Sequence, residues 1–477
     1  MTVTPYSRQR FQTREELYQF LNRCHKESIR DRRSKIASFS CELDSIDPLI
    51  ALQELGTPDT IYFYFENGQR QETIAAIGTA AYQNIQGSRR VDAAYEFIQE
   101  CMESVVSNGL DSPFAGAYFF CSLTFFDQPR SPVSSFFTSN IFLPRWQISR
   151  HHERCIVTAN LPIHAQSNVQ NQTDLVWSHL QRLQVLRHRT LTSSRLDFRK
   201  NAGRSQRIQN LSNLDSFKRA VTSILTRIQT QELEKVVLAH AMDIQERSPF
   251  SAVRSLKNLR RLYPDCYIFS TGNGNGQSFI GASPERLLSI RDRTLIVDAL
   301  AGSAPRGSSL SEDAEYANHL LSSDKERREH QLVVQFIQQQ LAQHGIAATA
   351  PDSPTLLQLS NIQHLHTPIC GTVPPMLNPL DLLASLHPTP AVAGIPREQA
   401  FQAIQTHESF ERSLYAAPLG WLDHHGNGEF VVGIRSALLS GCRAQLYAGA
   451  GIVAGSNPEQ EASEIQLKLQ ALLQALD

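Results

Sequence analysis

The sequence predicts an α/β (α+β) chain in which large antiparallel β-sheets pack in two layers with helices outside. Three observations predict it. Alternating apolar runs joined by turn residues read as hairpins at 61–77, 286–299 and 430–451. Apolar residues at helical spacing follow capping signals at Ser323 and Ser456. Lys235 to Ile244 is apolar on both alternating faces, the pattern of a strand covered on both sides.

Composition narrows the class. At 477 residues the chain can bury a large core, and 41% hydrophobic with 19% charged residues is ordinary for a globular protein. A formal net charge of -1 supplies no global pull toward nucleic acid or anionic membrane, so neither is expected as a partner. Eight cysteines lack any C-x-x-C spacing, which points away from zinc and disulfide frameworks and toward a reducing, cytoplasmic location. The polar N-terminus carries no apolar signal core, and no apolar run approaches the roughly 20 residues of a bilayer span.

In chain order, residues 11–29 read as a helix. Ile61 to Glu66 and Thr73 to Ile77, joined through Asn67-Gly68, read as a hairpin, with further strands at 115–123 and 139–143. Residues 187–207 are polar and basic, carrying Arg187, Arg189, Arg195, Arg199, Lys200, Arg204 and Arg207. Phe198 is the single aromatic among them, which suits a solvated connector better than a nucleic-acid patch. This places a boundary between an N-terminal scaffold part, 1–205, and a catalytic region, 206–477, of one fold.

Chemistry-bearing residues concentrate after that boundary. Phe217, Val221, Ile224, Leu225 and Ile228 mark an amphipathic helix, and Lys235 opens the doubly covered strand. A lysine there can snorkel to water; pointing inward, desolvation lowers its pKa and makes it a usable base. Gly272-Asn-Gly-Asn-Gly276 is followed by a strand pattern, so it reads as a hairpin turn and not as a nucleotide loop. Gly281-Ala-Ser-Pro-Glu285 reads as a turn delivering a carboxylate, and Ala299 to Gly307 as a small-residue loop. On the helix from Ser323 to about Gly345, Glu326 and Glu329 share a face with Val333, Phe336 and Ile337, so a cation or a partner is expected beside them. Phe430 to Leu438 and Ala444 to Gly451 read as a hairpin bearing Arg435. In the last helix Glu461, Glu464 and Lys468 border the apolar stripe of Ala462, Ile465, Leu469, Leu472 and Leu473. Acids from two helices, a lysine, a glutamate on a turn and an arginine together suit a cleft for Mg²⁺ and a small dicarboxylate.

The blocks KVVLAH (235–240), GASPE (281–285), ALAGSAPRG (299–307), KERREH (325–330), NIQHL (361–365), HPTPAVAG (387–394), ERSLYAAPLGW (411–421), VGIRSALL (432–439) and YAGAGIVAGSNPEQEASEIQLKL (447–469) resemble the chorismate-utilising enzymes. The likeness spans about 212–473 and is greatest to isochorismate synthases of the menaquinone or phylloquinone type. It implies a Mg²⁺-dependent isomerase, an intramolecular hydroxymutase acting on chorismate. By the same resemblance Lys235 stands where a general base activates water for attack at C2. Glu285 stands where a general acid protonates the departing C4 hydroxyl. Glu329 and Glu464 match metal ligands, with Glu326 and Glu461 as nearby acids. Tyr415, Arg435 and the backbone at Gly449 match the groups on the enolpyruvyl carboxylate, and Gly302, His364, Ala391 and Lys468 line the same pocket. Lys235, and Thr-Pro-Ala-Val-Ala-Gly at 389–394, depart from the ammonia-using anthranilate and aminodeoxychorismate synthases, so no amidotransferase subunit is expected. Salicylate synthases, the alternative, carry a threonine where this chain has Ala391. Release of isochorismate is therefore expected.

Overall fold

The computed structural model describes residues 13–110, 112–128, 136, 139–186, 208–209, 214–360 and 362–476. The basic connector expected at 187–207, and with it the boundary at 205, lies outside the described residues. Among these residues, twenty strands join by backbone hydrogen bonds into one connected sheet system. Its pairings are antiparallel apart from Lys35–Leu43 against Val105–Asn108.

The system forks at one long strand, Ser139–His151. One edge of it pairs with Glu72–Ile85 along its length, while the other edge pairs with Tyr118–Leu123 near its start and with Arg154–Ile163 near its end. Glu72–Ile85 leads into a first arm. This continues through Ile61–Asn67, Tyr267–Asn273, Gln277–Ser283, Ser436–Ser440 and Arg443–Val453 to Lys235–Gln245. Tyr118–Leu123 leads into a second arm, through Pro418–Asp423, Gly428–Val432, Arg286–Arg291, Thr294–Pro305 and Ile362–Thr372 to Thr355–Gln358. Strands from before residue 205 thus pair directly with strands after it, at Ile61–Asn67 with Tyr267–Asn273 and at Tyr118–Leu123 with Pro418–Asp423.

The expected layout of large antiparallel sheets with helices outside is the observed one. The strand Ile61–Asn67, sequence IYFYFEN, is buried on both faces, which is why it belongs to the interior of an arm. Helix Asp324–Gln343 lies on the strands Thr294–Pro305 and Ile362–Thr372, burying Val333, Ile337 and Leu341. Helix Pro458–Leu473 lies on Arg443–Val453 through Ala462, Ile465 and Leu469. Buried charges stitch the early and late parts of the chain. Glu429, fully buried, accepts hydrogen bonds from Tyr267 Oη at 2.7 Å, Arg291 Nη2 at 2.8 Å and Arg70 Nη1 at 3.3 Å. Among the described residues no helix is long and apolar enough to cross a membrane.

Three local expectations differ from the structure. Ala299 to Pro305 is not a loop but the end of the strand Thr294–Pro305, with a bulge between Ala301 and Ser303 and Gly302 at φ +77. Its small residues make room: a β-carbon on Gly302 would stand 3.1 Å from Glu326 Oε2. Phe430 to Leu438 is not one strand. It breaks at 433–435, where Arg435 takes φ 49 and the chain passes from the second arm to the first. The last helix is capped by Asn457, whose Oδ1 accepts from Glu459 N and Gln460 N. Ser456 Oγ is engaged by Val453 N instead, so the cap falls one residue later than the Ser-x-x-Glu pattern suggests.

Candidate active site

A cleft of about 1110 Å³ opens between the two arms. All thirteen candidate residues line it: Lys235, Glu285, Gly302, Glu326, Glu329, His364, Ala391, Tyr415, Arg435, Gly449, Glu461, Glu464 and Lys468. The first arm supplies Lys235, Val237, Tyr447, Gly449 and Gly451; the second supplies Leu300 to Ser303 and His364. Glu285 and Arg435 come from two short passages between the arms, after Gln277–Ser283 and after Gly428–Val432.

Lys235 is 1% exposed because the strand that carries it is covered on both sides. Its Nζ donates to Glu329 Oε1 at 2.7 Å. The inward-pointing alternative is the observed one, and Glu329 meets the buried amine. Gly451 makes the approach possible, since a β-carbon there would lie 3.1 Å from Glu329 Oε1 and 3.3 Å from Lys235 Cε.

Glu285 is 4% exposed, and burial pushes its pKa up to about 8, with the charge of Asp298 adding and that of Lys235 opposing. At neutral pH this carboxyl holds its proton, as a general acid must. Buried Lys235 lines the same cleft, and its charge opposes the rise in the Glu285 pKa.

At the Arg435 end, the guanidinium Nη2 donates to His364 Nε2 at 3.2 Å. Arginine can only donate, so Nε2 accepts and the proton rests on Nδ1, which faces Ser303 Oγ at 3.0 Å and Gly302 O at 3.3 Å. Burial, then the charges of Arg435 and Lys468, hold His364 well below its ordinary pKa and keep it neutral. Tyr415 stacks on Tyr447 with ring centroids 5.3 Å apart. A β-carbon on Gly449 would stand 2.6 Å from the Tyr415 hydroxyl, so only glycine admits the phenol here. Lys468 Nζ donates to Gly449 O at 2.9 Å and pairs with Glu464 at 2.6 Å.

Four acids from two helices converge on the cleft. Burial, and next the charge of Glu329, raises the pKa of Glu326; burial, and next the charge of Glu464, raises that of Glu461. Ser303 N donates to Glu326 Oε2 at 3.2 Å, and Lys325 lies 3.8 Å from Glu326. Among the described residues no group of three or more His, Cys, Asp or Glu side chains forms a ready-made cation site; Glu329 and Glu464 are turned to Lys235 and Lys468. A set of oxygen donors that repel one another and borrow lysines as counter-charges nonetheless fits a hard divalent cation.

Sequence reasoning missed several contributors. Ser303 lies inside the ALAGSAPRG block, where its neighbour glycine was the visible signal. Asp298 bonds Arg286 Nη2 at 2.8 Å and His366 Nε2 at 3.0 Å and acts on Glu285. Arg412, 1% exposed, joins Glu408 (2.6 and 2.9 Å), Val237 O (2.7 Å) and Val392 O (2.9 Å), and Glu408 Oε1 also accepts from Ala239 N at 2.8 Å. That network ties the Lys235 strand to the Ala391 loop. An arginine four residues after a glutamate gives no hint of it, because its partners are carbonyls brought near only by folding.

Comparison with known proteins follows the geometry. A family model described as chorismate binding enzyme matches residues 19–477. The salicylate biosynthesis isochorismate synthase of Pseudomonas aeruginosa is 34% identical over 451 residues, covering 93% of this chain and 90% of that relative. The isochorismate synthase MenF of Escherichia coli is 42% identical over 249 residues, 51% of this chain and 56% of that one. The solved structure of the menaquinone-specific isochorismate synthase from Escherichia coli superposes with a TM-score of 0.74 at 27% identity, covering 96% of this chain and all of that one.

Proposed function

The chain belongs to the chorismate-binding enzyme family, and on that premise we propose that it is an isochorismate synthase, an isomerase that converts chorismate to isochorismate and releases it intact. Relatives with menaquinone and salicylate names share this step, and the proposal is confined to it. The observation that carries it is that buried Lys235 and buried Glu285, whose pKa burial raises, line one cleft.

In this reading Lys235 Nζ takes a proton from a water that attacks C2, and Glu285 gives its proton to the hydroxyl leaving C4. The ring double bonds shift between them. One water enters and one departs, and a proton returned from Lys235 to Glu285 restores both groups. Arg435, oriented by neutral His364, grips the enolpyruvyl carboxylate with two parallel hydrogen bonds, assisted by Tyr415 and the backbone at Gly449. Glu329 and Glu464 would hold Mg²⁺, with Glu326 and Glu461 on its waters, and the bound ion supplies positive charge for the ring carboxylate. Burial of Lys235 and Glu285 excludes bulk water, which strengthens each of these interactions.

The test is incubation of purified protein with chorismate and Mg²⁺. Isochorismate should accumulate at the rate of chorismate loss. Pyruvate and salicylate appearing at that rate would instead identify a salicylate synthase.

A further inference from the structure

We propose that Cys266 is a positioning residue for Arg435, a neutral acceptor that fixes one corner of the guanidinium so that its remaining N–H groups stay available to a carboxylate in the cleft. The inference rests on the reading of Arg435 as the carboxylate grip and adds to it a residue that lies outside the nine blocks.

Cys266 stands directly before the strand Tyr267–Asn273, where its backbone N donates to Tyr263 O at 3.1 Å. The sheet register then brings it to Arg435. Tyr267 is opposite Ser283 and Ile268 opposite Ala282, while Gly281 is opposite Ser436 and Ala282 N donates to Arg435 O at 3.1 Å. Thiol and arginine therefore flank the end of Gln277–Ser283 from its two sides. Across that end Arg435 Nη1 donates to Cys266 Sγ at 3.8 Å, and Nη2 donates to His364 Nε2 at 3.2 Å. Sulfur is a weak acceptor, so the contact orients the guanidinium and does not immobilise it alone. The backbone bond from Ala282 and the imidazole supply the other two points.

Both acceptors are uncharged. Cys266 is 4% exposed, and burial pushes its thiol up to about 11 against the opposing charge of Arg435; His364 is held neutral from the other direction. A guanidinium carries five N–H donors in one plane, and these two bonds leave three of them for a ligand. An acid in either place would give Arg435 the partner that a substrate carboxylate has to be. A thiol and a neutral imidazole direct the fork without competing for it.

The experiment is steady-state kinetics of the full-length enzyme with chorismate and Mg²⁺, with thermal midpoints measured on every variant. Cys266→Ala removes the acceptor and should raise KM by roughly 3- to 10-fold with kcat little changed, because the grip serves bound substrate and transition state alike. Cys266→Val fills the space of the sulfur without an acceptor and should match it, which separates the acceptor from a cavity and keeps the idea testable should one variant fail to fold. Cys266→Ser restores a neutral acceptor and should recover most of the loss. In an Arg435→Lys background, Cys266→Ala should add nothing further to KM. A parental KM in Cys266→Ala and Cys266→Val, a fall in kcat with KM unmoved, or a full additional rise in the Arg435→Lys background would overturn the assignment. A parent enzyme that makes no isochorismate overturns the proposed function instead. The same variants compared by calorimetric affinity for chorismate need no turnover, so the two failures are distinct.

Discussion

Glu285 and Arg435 occupy two short passages of the chain between the arms of the sheet, and backbone bonds stitch those passages together. Val432 N donates to Glu285 O at 3.1 Å, and Ala282 N donates to Arg435 O at 3.1 Å. Each passage breaks strand geometry for two or three residues, and each places a side chain on the cleft. The backbones of Glu285 and Arg435, the proposed proton donor and the proposed carboxylate grip, are thereby tied to each other's passages by main-chain bonds.

The pH profile follows from the state of Glu285. Its folded pKa, about 8, lies above the ordinary 4.5, so activity that needs the protonated form is present below 8. The rate should fall about tenfold per unit as pH rises beyond it. Stability has the same sign: the folded state binds the extra proton between 4.5 and 8, so its advantage declines as pH rises through that window. Glu285→Gln should abolish turnover and flatten this part of the stability curve, read as thermal midpoint against pH. An unchanged alkaline limb in the parent enzyme would count against Glu285 as the acid.

Lys235→Ala should lower turnover by about 10²–10⁴ while chorismate still binds, measured by steady-state kinetics and by calorimetry. In the proposed mechanism the lysine contributes chemistry, and the grip falls to Arg435 and its neighbours. Turnover at the parental rate would remove Lys235 from the mechanism.

Chelation should abolish activity, with Mg²⁺ restoring it. Titration calorimetry should show Glu329→Gln and Glu464→Gln each weakening Mg²⁺ binding by at least tenfold. Glu326→Gln and Glu461→Gln, acting through ordered water, should weaken it less. Equal effects from all four would replace the two-tier arrangement with a shared one.

Arg412→Met leaves Glu408 buried without its counter-charge and should cost about 3–5 kcal/mol of stability, seen as a lowered denaturant midpoint. Because the same side chain holds Val237 O and Val392 O, KM should rise in whatever fraction remains folded. A neutral effect on the midpoint would show that the surrounding backbone holds these strands unaided.

Periodicity and caps made the helices at 215–229 and 324–343 legible, and turn residues made the hairpins at 61–85 and 267–283 legible, because these are local signals carried by neighbours in sequence. The nine short blocks contain every residue that lines the cleft, though the resemblance singles out only thirteen of these and not Ser303. What local pattern could not carry was the break at Gly433 to Arg435, since an apolar run reads as one strand whether or not the chain changes sheets within it. Nor could it show that Ala299 to Pro305 pairs with Ile362–Thr372, because small residues look like loop until a partner strand is present.

By itself the sequence determined which residue types are available to do chemistry: one lysine opening a covered strand, one glutamate after a proline, two pairs of acids at helical spacing, and an arginine after an apolar strand. Only the tertiary structure decided their states. Lys235 meets Glu329 beside Gly451, where a β-carbon would crowd both, and burial raises the pKa of Glu285. The physical reason is that identity and spacing are properties of the chain, while desolvation and charge proximity are properties of the surroundings that folding assembles from distant segments.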